Sequence, residues 1–139
     1  MDGKKLAWAN SNWTHLAIST GIPVRLTPAD TDNYILGEKL EMDYAPRKIK
    51  LPDDMTSQES FTVQKHHLDT NHHVNNCQYI CMAEDFLPED FKVYQMRAEY
   101  KKAALLGDMV VPYIHIEEKK CTVLLCDEAQ KPYAVVEFQ

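Results

Sequence analysis

No stretch of this chain approaches the roughly 18 consecutive apolar residues that a membrane-spanning helix needs, so no membrane partner is expected. The opening MDGKKLAWANSNW turns polar too early for a secretory signal. The four cysteines, Cys77, Cys81, Cys121 and Cys126, include no Cys-x-x-Cys pair. A disulfide framework is therefore the weaker reading, and reduced thiols that mostly fill core space in a cytoplasmic protein are expected. An excess of positive charge is also missing. Fifteen Lys and Arg against 21 Asp and Glu leave a net −6, which argues against nucleic acid as the main partner. No internal repeat or low-complexity segment interrupts the chain.

What is present suits one globular domain. Apolar residues make up 45% of 139 positions, enough for a packed core, while the length is too short for two domains of typical size. Residues 5–18, KLAWANSNWTHLAI, suit an extended strand, which Thr20-Gly21-Ile22-Pro23 breaks with turn chemistry. From Pro23 to Ser60 the chain is irregular and carries Pro23, Pro28, Pro46 and Pro52, with a short helix expected over Asp30–Leu40. So long a connection implies a link between two structural units or a segment wrapped across a surface. Residues 60–65 read as a strand. Val74, Cys77, Ile80, Cys81 and Met82 then recur at helical spacing, with Asn75 as cap, Gln78 at the capping-box position, and Pro88 as the stop. Four strands follow, at 93–102, 109–117, 120–126 and 133–138, separated by turn-forming segments. Strand, helix and four strands pack most simply as an α+β domain, one helix wrapped in an antiparallel sheet.

Chemistry concentrates in HHLDTNHHVNNCQYI, residues 66–80. Three readings compete. His66, His67, His72 and His73 offer nitrogen ligands, but adjacent residues of a strand face opposite ways and neither H-x3-H nor HExxH spacing is present. A polar turn capped by Asn75 accounts for Asp69, Thr70, Asn71 and Asn75, yet leaves His73 and Asn76 without a purpose. A catalytic reading takes Asp69, Asn71 and His73 from the D-x-N-x-H spacing. The carboxylate attacks or activates water, the amide orients it, and the imidazole moves a proton. The helix start that follows offers free N–H groups and a positive dipole end to polarise a carbonyl.

HLDTNHHVNNCQYI resembles the DxNxHVNNxxY signature of plant and bacterial acyl-acyl carrier protein thioesterases. EYKKAALLGD (residues 99–108) resembles their second signature, and ANSNWTHLAISTGIPVRL (residues 9–26) the end of a first repeat. The resemblance implies the hot-dog fold, an antiparallel sheet wrapped around one long helix. It also implies the following domains: 1–20 the last strand of a first repeat, 21–60 a linker, and 61–139 a hot-dog thioesterase domain. The implied reaction is hydrolysis of fatty acyl-acyl carrier protein thioesters to free acid and carrier thiol, without metal or organic cofactor. Asp69, Asn71 and His73 take the catalytic positions. The glutamate expected on the following strand is replaced by Ala103, and Ala104 stands where plant members have cysteine. Glu99 shares strand parity with position 103, but four residues of strand span about 13 Å. That loss supports an alternative, a catalytically silent acyl-binding or assembly module. Arg47, Lys48 and Lys50 are candidates for docking the acidic carrier protein. A homo-oligomer is expected, because a lone repeat exposes apolar surface.

Overall fold

Cys121, Val123 and Leu125 are fully buried, as are Ala134, Val136 and Phe138 on the neighbouring strand. Their alternation puts all six on one face of a sheet, against the chain's main helix. The structure, a computed structural model, describes residues 4–35 and 37–139. The helices are α1 (Pro28–Thr31) and α2 (Asn76–Glu84). The strands are β1 (Thr56–Ser57), β2 (Phe61–Thr62), β3 (Met96–Tyr100), β4 (Met109–Glu117), β5 (Lys120–Cys126) and β6 (Pro132–Phe138). All pairings are antiparallel, in the order β1-β4-β5-β6-β3, with β2 also paired to β4. Tyr79, Met82 and Ala83, at helical spacing, form the buried face of α2. This is the hot-dog arrangement, with a helix of nine residues rather than a long one.

The strands β4 and β5 coincide with the expected segments, and β6 begins one residue early. The others differ for local reasons. The strand expected over 60–65 is reduced to β2, with β1 added upstream. Across from the break lies Pro112 of β4, whose carbonyl accepts from the Gln58 N–H at 2.8 Å. A strand residue's N–H and C=O point the same way, so the donor that proline lacks falls on this side and the ladder cannot continue. The third strand is confined to 96–100 rather than 93–102. Helix α2 ends at Glu84, short of Pro88, because Phe86 and Leu87 bond back three residues to Ala83 and Glu84.

Contacts divide the chain into two units, Met1–Asp43 and Tyr44–Gln139. In the first, residues 5–18 form no strand ladder. Their one bridge joins Leu16 to Pro23 around a turn with Gly21 at φ +65°, flanked by bonds from the Ala17 N–H to the Ile22 carbonyl at 3.0 Å and from the Val24 N–H to the His15 carbonyl at 2.9 Å. Trp8 and Trp13 are exposed. The helix expected over 30–40 is only the four residues of α1, started by the reciprocal Thr27–Asp30 cap and followed by a turn at Asp32–Asn33. Leu36, within the expected helix, lies outside the described residues, as do residues 1–3.

In the second unit, residues 46–54 cross the sheet face opposite α2. Arg97 on β3 donates to the Pro46 carbonyl at 2.6 Å, and the Glu99 carboxylate accepts the Ile49 N–H at 3.1 Å. Farther along, Asp54 pairs with His115 of β4 at 3.0 Å. Ile49 is buried beneath this strap, a contribution of about 1.5–3 kcal/mol for a side chain of its size. The strap also shields a cross-strand polar row, Arg97, Glu137, Thr122 and His115. Glu137 is 6% exposed and is held by Arg97 at 2.9 Å. Removing one member of such a pair strands a buried charge, which is worse than removing both. Arg97→Met should therefore lower stability by about 3 kcal/mol, and Arg97→Met/Glu137→Gln should recover most of it in urea unfolding. Equal losses in the single and double variants would show that the pair is not what holds this face.

Candidate functional site

The polar run at 66–76 folds into a closed turn that is tied to β3 and to the segment after it. A 3-10 turn, Lys65–His67, comes first; the Gln64 N–H donates to His67 Nδ1 at 2.9 Å. The chain then doubles back. The Asp69 N–H donates to the His73 carbonyl at 2.8 Å, and the His72 N–H to the Asp69 carbonyl at 3.1 Å. His72 takes the left-handed conformation, φ +60°, that so tight a reversal demands. Inside the loop, Asp69 Oδ1 accepts from the N–H groups of Asn71 (2.8 Å) and His73 (3.3 Å). Among the described residues, Asp69 Oδ2 has no partner. The turn therefore fixes one carboxylate oxygen and leaves the other available.

Helix α2 starts where the turn ends. Asn75 caps it, but its Oδ1 accepts from the Cys77 N–H at 2.9 Å, not from Gln78 as the capping-box spacing suggests. The Asn75 N–H is spent on the His67 carbonyl. The Asn76 N–H, the first of the helix, has no acceptor among the described residues. It retains the donor capacity and positive dipole end characteristic of a helix start.

One tie runs to the segment after β3. The Val74 N–H donates to the Ala104 carbonyl at 2.9 Å, and the Ala104 N–H donates to the Tyr79 hydroxyl at 2.8 Å. Burial raises the Tyr79 pKa above the usual tyrosine range, so the hydroxyl stays neutral. A cleft of about 220 Å³ lies between turn, helix start and this segment. Asp69, His73 and Asn76 line it on one side and Tyr100, Lys101 and Ala103 on the other. Asn71 does not line it; that residue serves Asp69 through its main-chain N–H. A wider groove of about 970 Å³, bordered by Phe91, Tyr94 and Ile116, offers neither an imidazole nor a helix start, so the chemistry is assigned to the smaller cleft.

The cleft's cations are already partnered. Lys101 pairs with Glu99, and Lys102 with Asp127 at 3.1 Å. Glu99 is turned to the strap and does not line the cleft. Burial raises its pKa, but Lys101 and the Ile49 N–H outweigh that and hold it below the usual carboxylate range. Arg47, Lys48 and Lys50 are exposed on the strap. The His66 and His67 rings meet edge to face at 4.1 Å, and no three His, Cys, Asp or Glu are gathered as metal ligands among the described residues.

Residues 49–134 match a family model described as the acyl-ACP thioesterase C-terminal domain, over more than half of the chain. This chain belongs to the acyl-ACP thioesterase family. A search of curated proteins gives no match. Among solved structures, an acyl-ACP thioesterase from Bacteroides thetaiotaomicron superposes with a TM-score of 0.76 at 19% identity, over 88% of this chain and 51% of that one. A Lactobacillus plantarum protein assigned as an oleoyl thioesterase gives 0.69 at 20% identity, over 91% and 53%. A Staphylococcus aureus protein solved with CoA gives 0.54 at 16%, over 62% and 74%. At such identities the likeness is one of fold. The chain spans about half the length of the first two.

Ala103, where the resemblance leads to the expectation of a glutamate, lines the same cleft as Asp69. Tyr79 and Tyr100 were not singled out from sequence. Tyr79 carried a usable signal, a phenol on the buried face of α2 that must find a polar partner. His67 gives a direct test of the turn. Burial first, then the neighbouring His66, lowers its pKa below 6.5, and only the neutral ring can accept from Gln64. A base whose pKa falls on folding stabilises the fold above its unfolded pKa, and that stability is lost as pH drops through the folded value. NMR should show His67 titrating below 6.5 and stability declining as the pH falls from there. A His67 midpoint at or above 6.5 would contradict the geometry.

Proposed function

We propose that this protein hydrolyses fatty acyl thioesters of acyl carrier protein, releasing free fatty acid and carrier thiol. The observation that carries this reading is a single juxtaposition, Asp69 with Oδ2 unclaimed on the same cleft as the free Asn76 N–H. The thioester carbonyl oxygen accepts from that N–H, at the positive end of α2, where a developing oxyanion is stabilised. Asp69 takes a proton from water as the water adds to the carbonyl carbon. The intermediate collapses, the carrier thiolate leaves, and it picks up a proton. Direct attack by Asp69, through an anhydride that water then opens, uses the same carboxylate. His73 lies beside both groups, to orient the thioester, and Asn71 holds Asp69 through its main chain. No cofactor or metal enters either route.

The exposed Arg47, Lys48 and Lys50 are the proposed docking surface for an acidic carrier protein. In this reading the protein works in the cytoplasm, in fatty acid biosynthesis, as a homo-oligomer. Ala103 supports a second reading, a silent acyl-binding module. Asp69→Asn separates chemistry from structure, because the amide oxygen still accepts from Asn71 and His73 while the base is lost. Thiol release from medium- and long-chain acyl-carrier thioesters should fall ~10²-fold or more, with the melting temperature nearly unchanged. Ala103→Glu should raise turnover, and Asp69→Ala should abolish the gain. Turnover indifferent to Asp69→Asn would move the chemistry elsewhere. Thioester binding without turnover, in the wild type and in Ala103→Glu, would establish the silent module.

A further inference from the structure

The four cysteines divide into two kinds. Cys121 and Cys126 are buried in β5, and burial pushes both thiols up, Cys126 to about 11. Their burial keeps both out of reach of an ion arriving from solvent. Cys77 and Cys81 are both exposed, four residues apart on α2, on the side away from the buried Tyr79–Ala83 face. Residues at this spacing project side by side, their Cβ atoms about 5–6 Å apart. The side chains do interact: after burial, the Cys77 thiol is the largest influence raising Cys81. This is a surface dithiol on a rigid helix, and neither the turn nor the cleft uses it.

We propose that Cys77 and Cys81 form a two-thiolate site for a soft, thiophilic monovalent cation such as Cu(I). Thiolates select such ions over oxygen-seeking cations. Among the described residues no group of three or more His, Cys, Asp or Glu is gathered for a metal, so a four-coordinate zinc site has no means of closing. Two sulfurs suffice for a d¹⁰ monovalent ion, which accepts linear coordination. Each thiol releases its proton to solvent and donates a lone pair, and the copper stays Cu(I), so no oxidant or reductant is required. The site adjoins the cleft: Asn76, next to Cys77, lines it, and the Tyr100 hydroxyl donates to the Asn76 carbonyl at 3.2 Å. A bound ion would sit at the rim of the cleft.

The test is an anaerobic Cu(I) titration of the full 139-residue chain against a chromogenic chelator, with X-ray absorption on the loaded protein. About one Cu(I) per chain, bound by two sulfurs and released as the pH falls, is expected. Cys77→Ser and Cys81→Ser should each reduce retained copper to near none, while Glu84→Gln should leave it unchanged. Copper retained in both serine variants, no copper retained against the chelator, or copper held by three or more sulfurs between chains would each overturn the proposal.

Discussion

One carboxylate oxygen organises the site. Asp69 Oδ1 accepts two main-chain N–H groups within four residues, and so closes a loop that the His72 left-handed conformation would otherwise oppose. A left-handed non-glycine residue costs about 1–2 kcal/mol. Hydrogen bonds to a charged acceptor, worth about 1.5–3 kcal/mol each, are large enough to offset it. The division of labour follows from this. Oδ1 is committed to the turn while Oδ2 stays unclaimed among the described residues, and the same turn delivers the chain to Asn75 at the angle from which α2 begins.

The sheet's part is to fix the opposite wall. Ala104 is bonded on both sides, to Val74 of the turn and to the Tyr79 hydroxyl of the helix, so turn, helix and the segment after β3 meet at one residue. Glu99, five residues earlier, does the equivalent on the other face by holding the strap and Lys101 together. A substitution at position 103 therefore changes the cleft's chemistry without touching the bonds that shape it.

Much of this was legible from residue pattern. Strand-like runs bounded by turn-forming segments located β4, β5 and β6 almost to the residue, and the D-x-N-x-H spacing pointed to the turn that lines the cleft. The failures have physical causes. A single proline on β4 breaks the pairing of its neighbour, which is invisible in the neighbour's own sequence. The strap at 46–54 has little regular pattern because it is held by side chains distant in sequence, Arg97, Glu99 and His115. Spacing also cannot distinguish an amide side chain from the main-chain N–H of the same residue, and at Asn71 the bond to Asp69 is the main-chain one. The expected strand at 5–18 has strand-like composition, but composition does not supply a partner.

In the proposed reaction, a carbonyl polarised by the Asn76 N–H meets Asp69 in the cleft. That encounter is tested most directly by following the main-chain amide signals of ¹⁵N-labelled protein as a non-hydrolysable acyl-pantetheine ketone is added. A saturable downfield shift of the Asn76 amide proton is expected, larger than any in the groove bordered by Phe91, Tyr94 and Ile116, and absent with an analogue in which the carbonyl is replaced by methylene. Saturable binding that leaves Asn76 unmoved, or that moves it equally with both analogues, would contradict the proposed reaction.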